Sequence, residues 1–218
     1  MAACPQISAG RPRRGTMARM TSEIPRTRRR PPNPERREEL IEAAARVIAR
    51  EGVANSSTRR IAEEAGVPQG LVHYWFSGKE ELVEEVLAAY LERFEAEAAV
   101  PPPAEADGDP FDRLRAAFGV VRADDRGRQI AMYELTTWAL RTPGKAEVAE
   151  RQYAAYRETA RRLAEPWLAA GQGGVDADVL AQFLSALFDG LVLAWLADPE
   201  GTDPEAVLGL LGGLLLGT

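Results

Sequence analysis

The one histidine of the chain, His73, lies in "QGLVHYWFSGK" (residues 69–79), between Gln69 and one of only two lysines, Lys79. An imidazole in such a run can move a proton or bind a metal, sit satisfied in a core beside Tyr74, Trp75 and Phe76, or present donor and acceptor on a surface. The first role needs partners. The only cysteine, Cys4, is near the N-terminus, and no His, Cys and carboxylate set recurs at metal-ligand spacing. The carboxylate pair Asp124-Asp125 falls in a predicted turn, where solvation accounts for it. No catalytic set, metal site or cofactor motif is expected, so the chain is not read as an enzyme.

Charge distribution points to the surface role. Net charge is −6 over 218 residues. Residues 1–80 carry 15 basic and 9 acidic side chains, whereas residues 81–218 carry 12 and 24. A basic N-terminal part on an acidic body suits an anionic partner, although a basic tail alone would produce the same asymmetry. One cysteine excludes an intramolecular disulfide and fits a reducing cytoplasm. No apolar run follows the arginine-rich start, so no secretory signal is expected. Val207–Leu216 is read as the most apolar stretch, too short for the roughly 18 residues of a membrane span. No membrane partner is expected.

The elements that must position His73 are all helical. Residues 1–32 read as a disordered basic tail ending in Arg28-Arg29-Arg30, with Met17 and Met20 as possible alternative starts. From Pro34, Leu40, Ile41, Ala44, Val47 and Ile48 fall on one 3.6-residue stripe, stopped at Gly52. Ser56, Ser57 and Thr58 offer an N-cap to a short helix bearing Ile61 and Ala62. Gly66 suits a tight inter-helix turn, and Pro68 the start of the next helix. Ser77 and Glu80 read as a capping box opening a long helix with Leu82, Val83, Val86 and Leu87. Five further helical patterns follow: 111–122, 128–141, 146–170, 176–197 and 204–216. The expected fold is all-α, about nine helices. A helix-turn-helix domain spans 33–79 and a helical body spans 80–218.

"STRRIAEEAGVPQGLVHYWFSGKEELV" resembles the DNA-binding signature of the TetR family of bacterial transcriptional regulators. "ALFDGLVLAWLADPEGTDPEAVLGLL" is similar to the last two helices of the branch with betaine-responsive regulators. The resemblance implies phosphate contacts from Thr58 and Arg59, and an exposed recognition-helix start at Gln69, Gly70 and Leu71. It also implies outward-facing His73 and Tyr74, and a phosphate contact at Lys79. The chemistry is compatible: glutamine can pair with adenine, leucine can meet a thymine methyl, and lysine can neutralise a phosphate. Val72 and Phe76, four residues apart, should face inward, with Trp75 joining or bordering them. Two positions depart from the family pattern: Pro68 replaces an N-cap hydroxyl, and His73 a tyrosine. The arginines of 26–30 are a minor-groove alternative to a free tail.

The resemblance further implies an effector pocket in the body, for which Phe118, Met132, Leu135, Trp138, Tyr156 and Phe183 are selected, with ordinary core packing as the competing role of each. Leu187, Leu191, Ala194, Leu208, Leu211 and Leu215 form apolar stripes assigned to a homodimer interface, unless they pack within one chain. The expected function is a cytoplasmic, homodimeric repressor released from double-stranded operator DNA by an unidentified small molecule. An activator, a member without ligand control, and an all-α apolar-ligand carrier or enzyme stand as alternatives.

Overall fold

Helix α1 (Pro34–Asn55) forms along the predicted stripe, and Leu40, Ile41, Ala44, Val47 and Ile48 are all buried. Its backbone breaks at Gly52, where φ is +81°. The structure, a computed structural model, describes residues 34–98, 112–169 and 175–216, except the side chains of 166, 215 and 216. The basic tail, including the arginines of 26–30, lies outside the described residues. Residues 33–218 form one compact unit.

The remaining helices follow closely: α2 (Thr58–Glu64), α3 (Gln69–Trp75), α4 (Lys79–Ala98), α5 (Asp112–Ala123), α6 (Arg126–Arg141), α7 (Ala146–Ala169), α8 (Ala177–Ala197) and α9 (Pro204–Leu216). These nine helices and no strand make up the regular structure among the described residues, as the all-α reading expected. Side chains cap several of them. Asp125 Oδ1 accepts from Arg128 N, and Asp176 Oδ1 accepts from Asp178 N and Val179 N, each satisfying free N–H groups of a first turn. The expected capping box at α4 is shifted by one residue: Ser77 N–H donates to Glu81 Oε2 at 2.7 Å, not to Glu80. That hydrogen bond holds the Glu81 carboxyl below the usual carboxylate range.

Two apolar cores result. The first joins α1–α4 to Ala131, Leu135 and Ala139 of α6 and Val148 and Ala149 of α7. It runs unbroken across residues 79–80, so the helix-turn-helix is seated on the body by shared packing. Gly127 marks the closest approach: a Cβ there would lie 2.4 Å from the Ala49 carbonyl oxygen. Nearby, Val53 N–H at the Gly52 break donates to Glu134 Oε2 of α6 at 2.6 Å. The second core comprises Leu114 and Phe118 of α5, Ala160, Ala164 and Trp167 of α7, and the inner faces of α8 and α9. Phe118 stands edge-on to Phe188 at 5.7 Å and to Trp195 at 6.1 Å between ring centroids.

α8 requires a correction to the hydropathy reading. Ala177–Ala197, not only residues 207–216, is apolar, and it is long and apolar enough to cross a membrane by length and composition. Its inner side, Leu180, Ala181, Leu184, Leu191, Val192 and Leu196, is spent on the second core. Its outer side carries exposed Val179, Phe183 and Leu193.

Candidate nucleic-acid interface

α2, a four-residue turn and α3 build the site. Ser57 is the N-cap of α2, its side chain accepting from Arg60 N. At the other end Gly66 N–H donates to Glu63 O at 3.2 Å and Val67 N–H to Ala62 O at 3.0 Å, with Gly66 at φ +65°. This pair of bonds is a Schellman motif, and it needs a left-handed residue where glycine stands. Val67 turns inward onto the first core. Pro68 then enters α3 as an N-cap without any side-chain cap bond. The loss of a capping hydroxyl expected from proline is therefore present.

α3 is two-sided. Val72 and Phe76 are buried, at 0% and 2% exposure, and Trp75 packs partly against them. Gln69, Gly70, His73 and Tyr74 are exposed, and Leu71 is half-buried. The outward side chains form a connected set. Gln69 Nε2 donates to Thr58 Oγ1 at 3.2 Å and lies 3.5 Å from His73 Nε2. The start of α2 and the outer face of α3 thus meet at one polar surface with amide, hydroxyl and imidazole side by side. Arg59 stands exposed beside it, with only a long ion pair, 3.8 Å, to Glu63.

Other cations of this region are committed within the protein. Arg46 and Arg50 both bind Glu64, and Arg50 and Arg60 bind Glu51. These pairs clamp α1 to α2 and orient the site from behind. The hydrogen bond from Arg46, reinforced by Arg50 against partial desolvation, holds the Glu64 carboxyl low. Arg37 stacks its guanidinium over the Phe76 ring and pairs with Glu85. Lys79, expected at a phosphate, donates to Val53 O at 2.6 Å and Ala54 O at 3.3 Å. It neutralises the carbonyl end of α1. Neither the carboxylate clamps between α1 and α2 nor the Glu134 bond was found from the sequence, because pairings 9 to 81 residues apart leave no local pattern.

The body redistributes the residues selected from sequence. Leu135 is fully buried in the first core, and Met132 and Trp138 pack against that same core, next to α1–α4 rather than around a separate chamber. Phe118 is buried in the second core, and Phe183 is 50% exposed on the outside of α8. Leu135 and Phe118 are thus committed to two different cores, Met132 and Trp138 are half-buried at the first, and Phe183 faces out. Tyr156 is half-buried and carries a hydroxyl. An open groove of about 690 Å³ between α4 and α7, edged by Leu91, Glu92, Glu95, Arg151, Ala155 and Glu158, touches none of the six. The interface stripes are corrected too. Leu191, Leu208 and Leu211 are buried in the second core and Leu187 packs against it. Leu187 and Leu191, four apart, and Leu208 and Leu211, three apart, therefore line the inner faces of α8 and α9. Ala194 is exposed, and the side chain of Leu215 lies outside the described residues. The outward apolar residues are Val179, Phe183, Leu193, Leu210 and Leu214.

Comparison with known proteins agrees with this architecture. Residues 40–86 match the family model described as bacterial regulatory proteins, tetR family, and residues 106–217 match the tetracyclin repressor-like C-terminal domain. The chain belongs to the tetR family. It is thus a DNA-binding transcriptional regulator, not an enzyme. The nicotine-responsive transcriptional repressor HdnoR of Paenarthrobacter nicotinovorans is 30% identical over 174 residues, 78% of this chain and 88% of that one. The regulator BetI of Vibrio vulnificus is 28% identical over 76% of this chain and 83% of its own length. Among solved structures, the multidrug binding protein EbrR complexed with ethidium is 29% identical. It has a TM-score of 0.65 and covers 84% of this regulator and 99% of that chain.

Proposed function

We propose that this regulator is a homodimeric, cytoplasmic repressor that leaves its operator when a small molecule binds the body. The observation that carries the reading is the outward face of α3. Gln69, Gly70, His73 and Tyr74 are exposed there on a helix whose other face is buried, and Thr58 is joined to Gln69. Such a helix can insert its N-terminal end into a major groove, with Gln69 pairing with an adenine edge and Leu71 touching a thymine methyl. Thr58 and Arg59 lie toward the phosphates. Lys79 contributes a positive charge at the α1 end, its remaining N–H free to reach a phosphate.

One α3 reads few base pairs, so a second copy is required for a long site. The exposed apolar side of α8 and α9, with Phe183, Leu193, Leu210 and Leu214, is the surface on which the copies meet. Membrane insertion of α8 would strip half of the second core, which its inner face completes. Release by an effector is supported by the relative named as nicotine-responsive and by the neighbour solved with ethidium. A footprint on the DNA beside the regulator's own gene tests the reading. Two protected half-sites about 34–36 Å apart, related by a two-fold axis, are expected. Uniform protection, or none, would contradict it.

A further inference from the structure

The polar cluster inside the body, which packing alone does not explain, specifies a ligand class. Tyr153 of α7 donates its hydroxyl to Asp189 Oδ2 of α8 at 2.8 Å, and Tyr133 of α6 donates to the Asp189 carbonyl oxygen at 2.9 Å. Tyr156 stands beside Tyr153, ring centroids 5.5 Å apart, and Phe94 of α4 closes on its edge at 4.9 Å. Gln152, itself held by Thr136, donates to the Tyr156 hydroxyl at 2.8 Å and fixes that ring. Tyrosines of α6 and α7 thus meet Asp189 of α8, one at its carboxylate and one at its main-chain carbonyl, and Phe94 of α4 closes on the same aromatic group.

Charge is the unbalanced quantity here. Asp189 is half-buried, and among the described residues no arginine or lysine forms an ion pair with it. Its Oδ1 accepts no hydrogen bond from a described residue. Burial, together with the nearby Asp189 charge, pushes the hydroxyls of Tyr133 and Tyr156 up, and that of Tyr153 up to about 12. All three tyrosines therefore remain neutral, and the carboxylate field reaches each of them. A half-buried carboxylate without a counter-ion, with the rings of Tyr153, Tyr156 and Phe94 close by, favours a positive guest by ion pairing, to which an aromatic ring can add cation–π attraction. A neutral guest would desolvate Asp189 without compensation.

We propose that Tyr133, Tyr153, Tyr156 and Asp189 are the recognition element for an organic cation, and that the effector of this regulator carries an ammonium or comparable positive charge. The inference rests on the effector-responsive reading above and supplies its chemical class. Binding pulls α6, α7 and α8 toward one point, and α6 is the helix that holds α1 through Gly127 and Glu134.

Calorimetry on the full-length regulator compares phenyltrimethylammonium with its uncharged isostere tert-butylbenzene. The cation should bind at least about tenfold more tightly, a preference of the size expected for a desolvated cation on aromatic rings. Asp189→Asn should reduce that preference to below about threefold. Tyr156→Leu, which keeps the carboxylate, should weaken the cation more than the isostere. Equal or tighter binding of tert-butylbenzene to the unaltered protein overturns the proposal, even if the variants fail to fold. So does an undiminished preference in a folded Asp189→Asn protein, or no binding of the cation up to millimolar concentration. Operator binding is measured separately without either probe. Its loss would sink the repressor reading and leave the cation site standing.

Discussion

At the residue scale, two side chains proposed to face DNA are expected to behave differently when removed. Gln69 is proposed to meet a base edge, so Gln69→Ala should weaken operator binding about tenfold or more and relax discrimination at one position. Arg59 is a charge with little internal commitment, so Arg59→Ala should weaken all sequences alike and make the salt dependence shallower by about one ion. Anisotropy titrations of cognate and mismatched duplexes at several salt concentrations separate the two patterns. The same sequence stretch that raised a catalytic histidine also carried the answer. The spacing of Val72 and Phe76 already assigned the inner face of α3, leaving Gln69 and His73 outside. What spacing could not reveal is that Gln69 reaches back to Thr58, eleven residues earlier, which aligns the amide before DNA arrives. Lys79 shows the opposite limit: its type fitted a phosphate contact, but a carbonyl pair at the end of α1 competes for the ammonium.

At the element scale, α1 and α6 meet closely at Gly127 and Glu134. Gly127→Ala would place a methyl 2.4 Å from the Ala49 carbonyl oxygen, which only a backbone shift can relieve. A loss of roughly 1–3 kcal/mol is expected by overpacking, read as a lower denaturation midpoint in urea. The start of α4 offers a pH test. The Ser77 N–H bond depresses the folded-state pKa of Glu81, so its stabilisation is present above the unfolded carboxylate range and is lost as pH falls through the folded value. Glu81→Gln should therefore lower the melting temperature at neutral pH, and the gap to the unaltered protein should close as pH falls through the depressed folded-state value of Glu81. Helix existence and boundaries were legible because apolar stripes, Gly66 and the caps are local signals. The shift from Glu80 to Glu81 was not, since two adjacent glutamates are both within reach of the same N–H.

At the scale of the whole molecule, α1–α4 share one apolar core with α6 and α7, so a change in α6 or α7 bears directly on the packing of α1. The inner and outer faces of α8 and α9 were hard to assign from sequence because both are apolar. Leu191, Leu208 and Leu211 complete the chain's own core, and Phe183 and Leu210 face out. A helix that is apolar all round gives no sign of which stripe a second copy covers. Phe183→Glu combined with Leu210→Glu should convert the proposed dimer to a folded monomer. Sedimentation should report half the mass and far-ultraviolet dichroism an unchanged helix content. Operator affinity should fall by orders of magnitude, because a single α3 cannot span both half-sites.

The most direct test of the assigned DNA-reading surface is fluorescence anisotropy of the full-length regulator. Labelled fragments flanking its own gene are measured over a range of salt, with Gln69→Ala in parallel. One fragment should bind at least about a thousandfold more tightly than unrelated DNA, and Gln69→Ala should erode that preference. Weak binding that is the same for every fragment, or a preference that survives Gln69→Ala undiminished, would contradict the assignment of α3 as the surface that reads DNA.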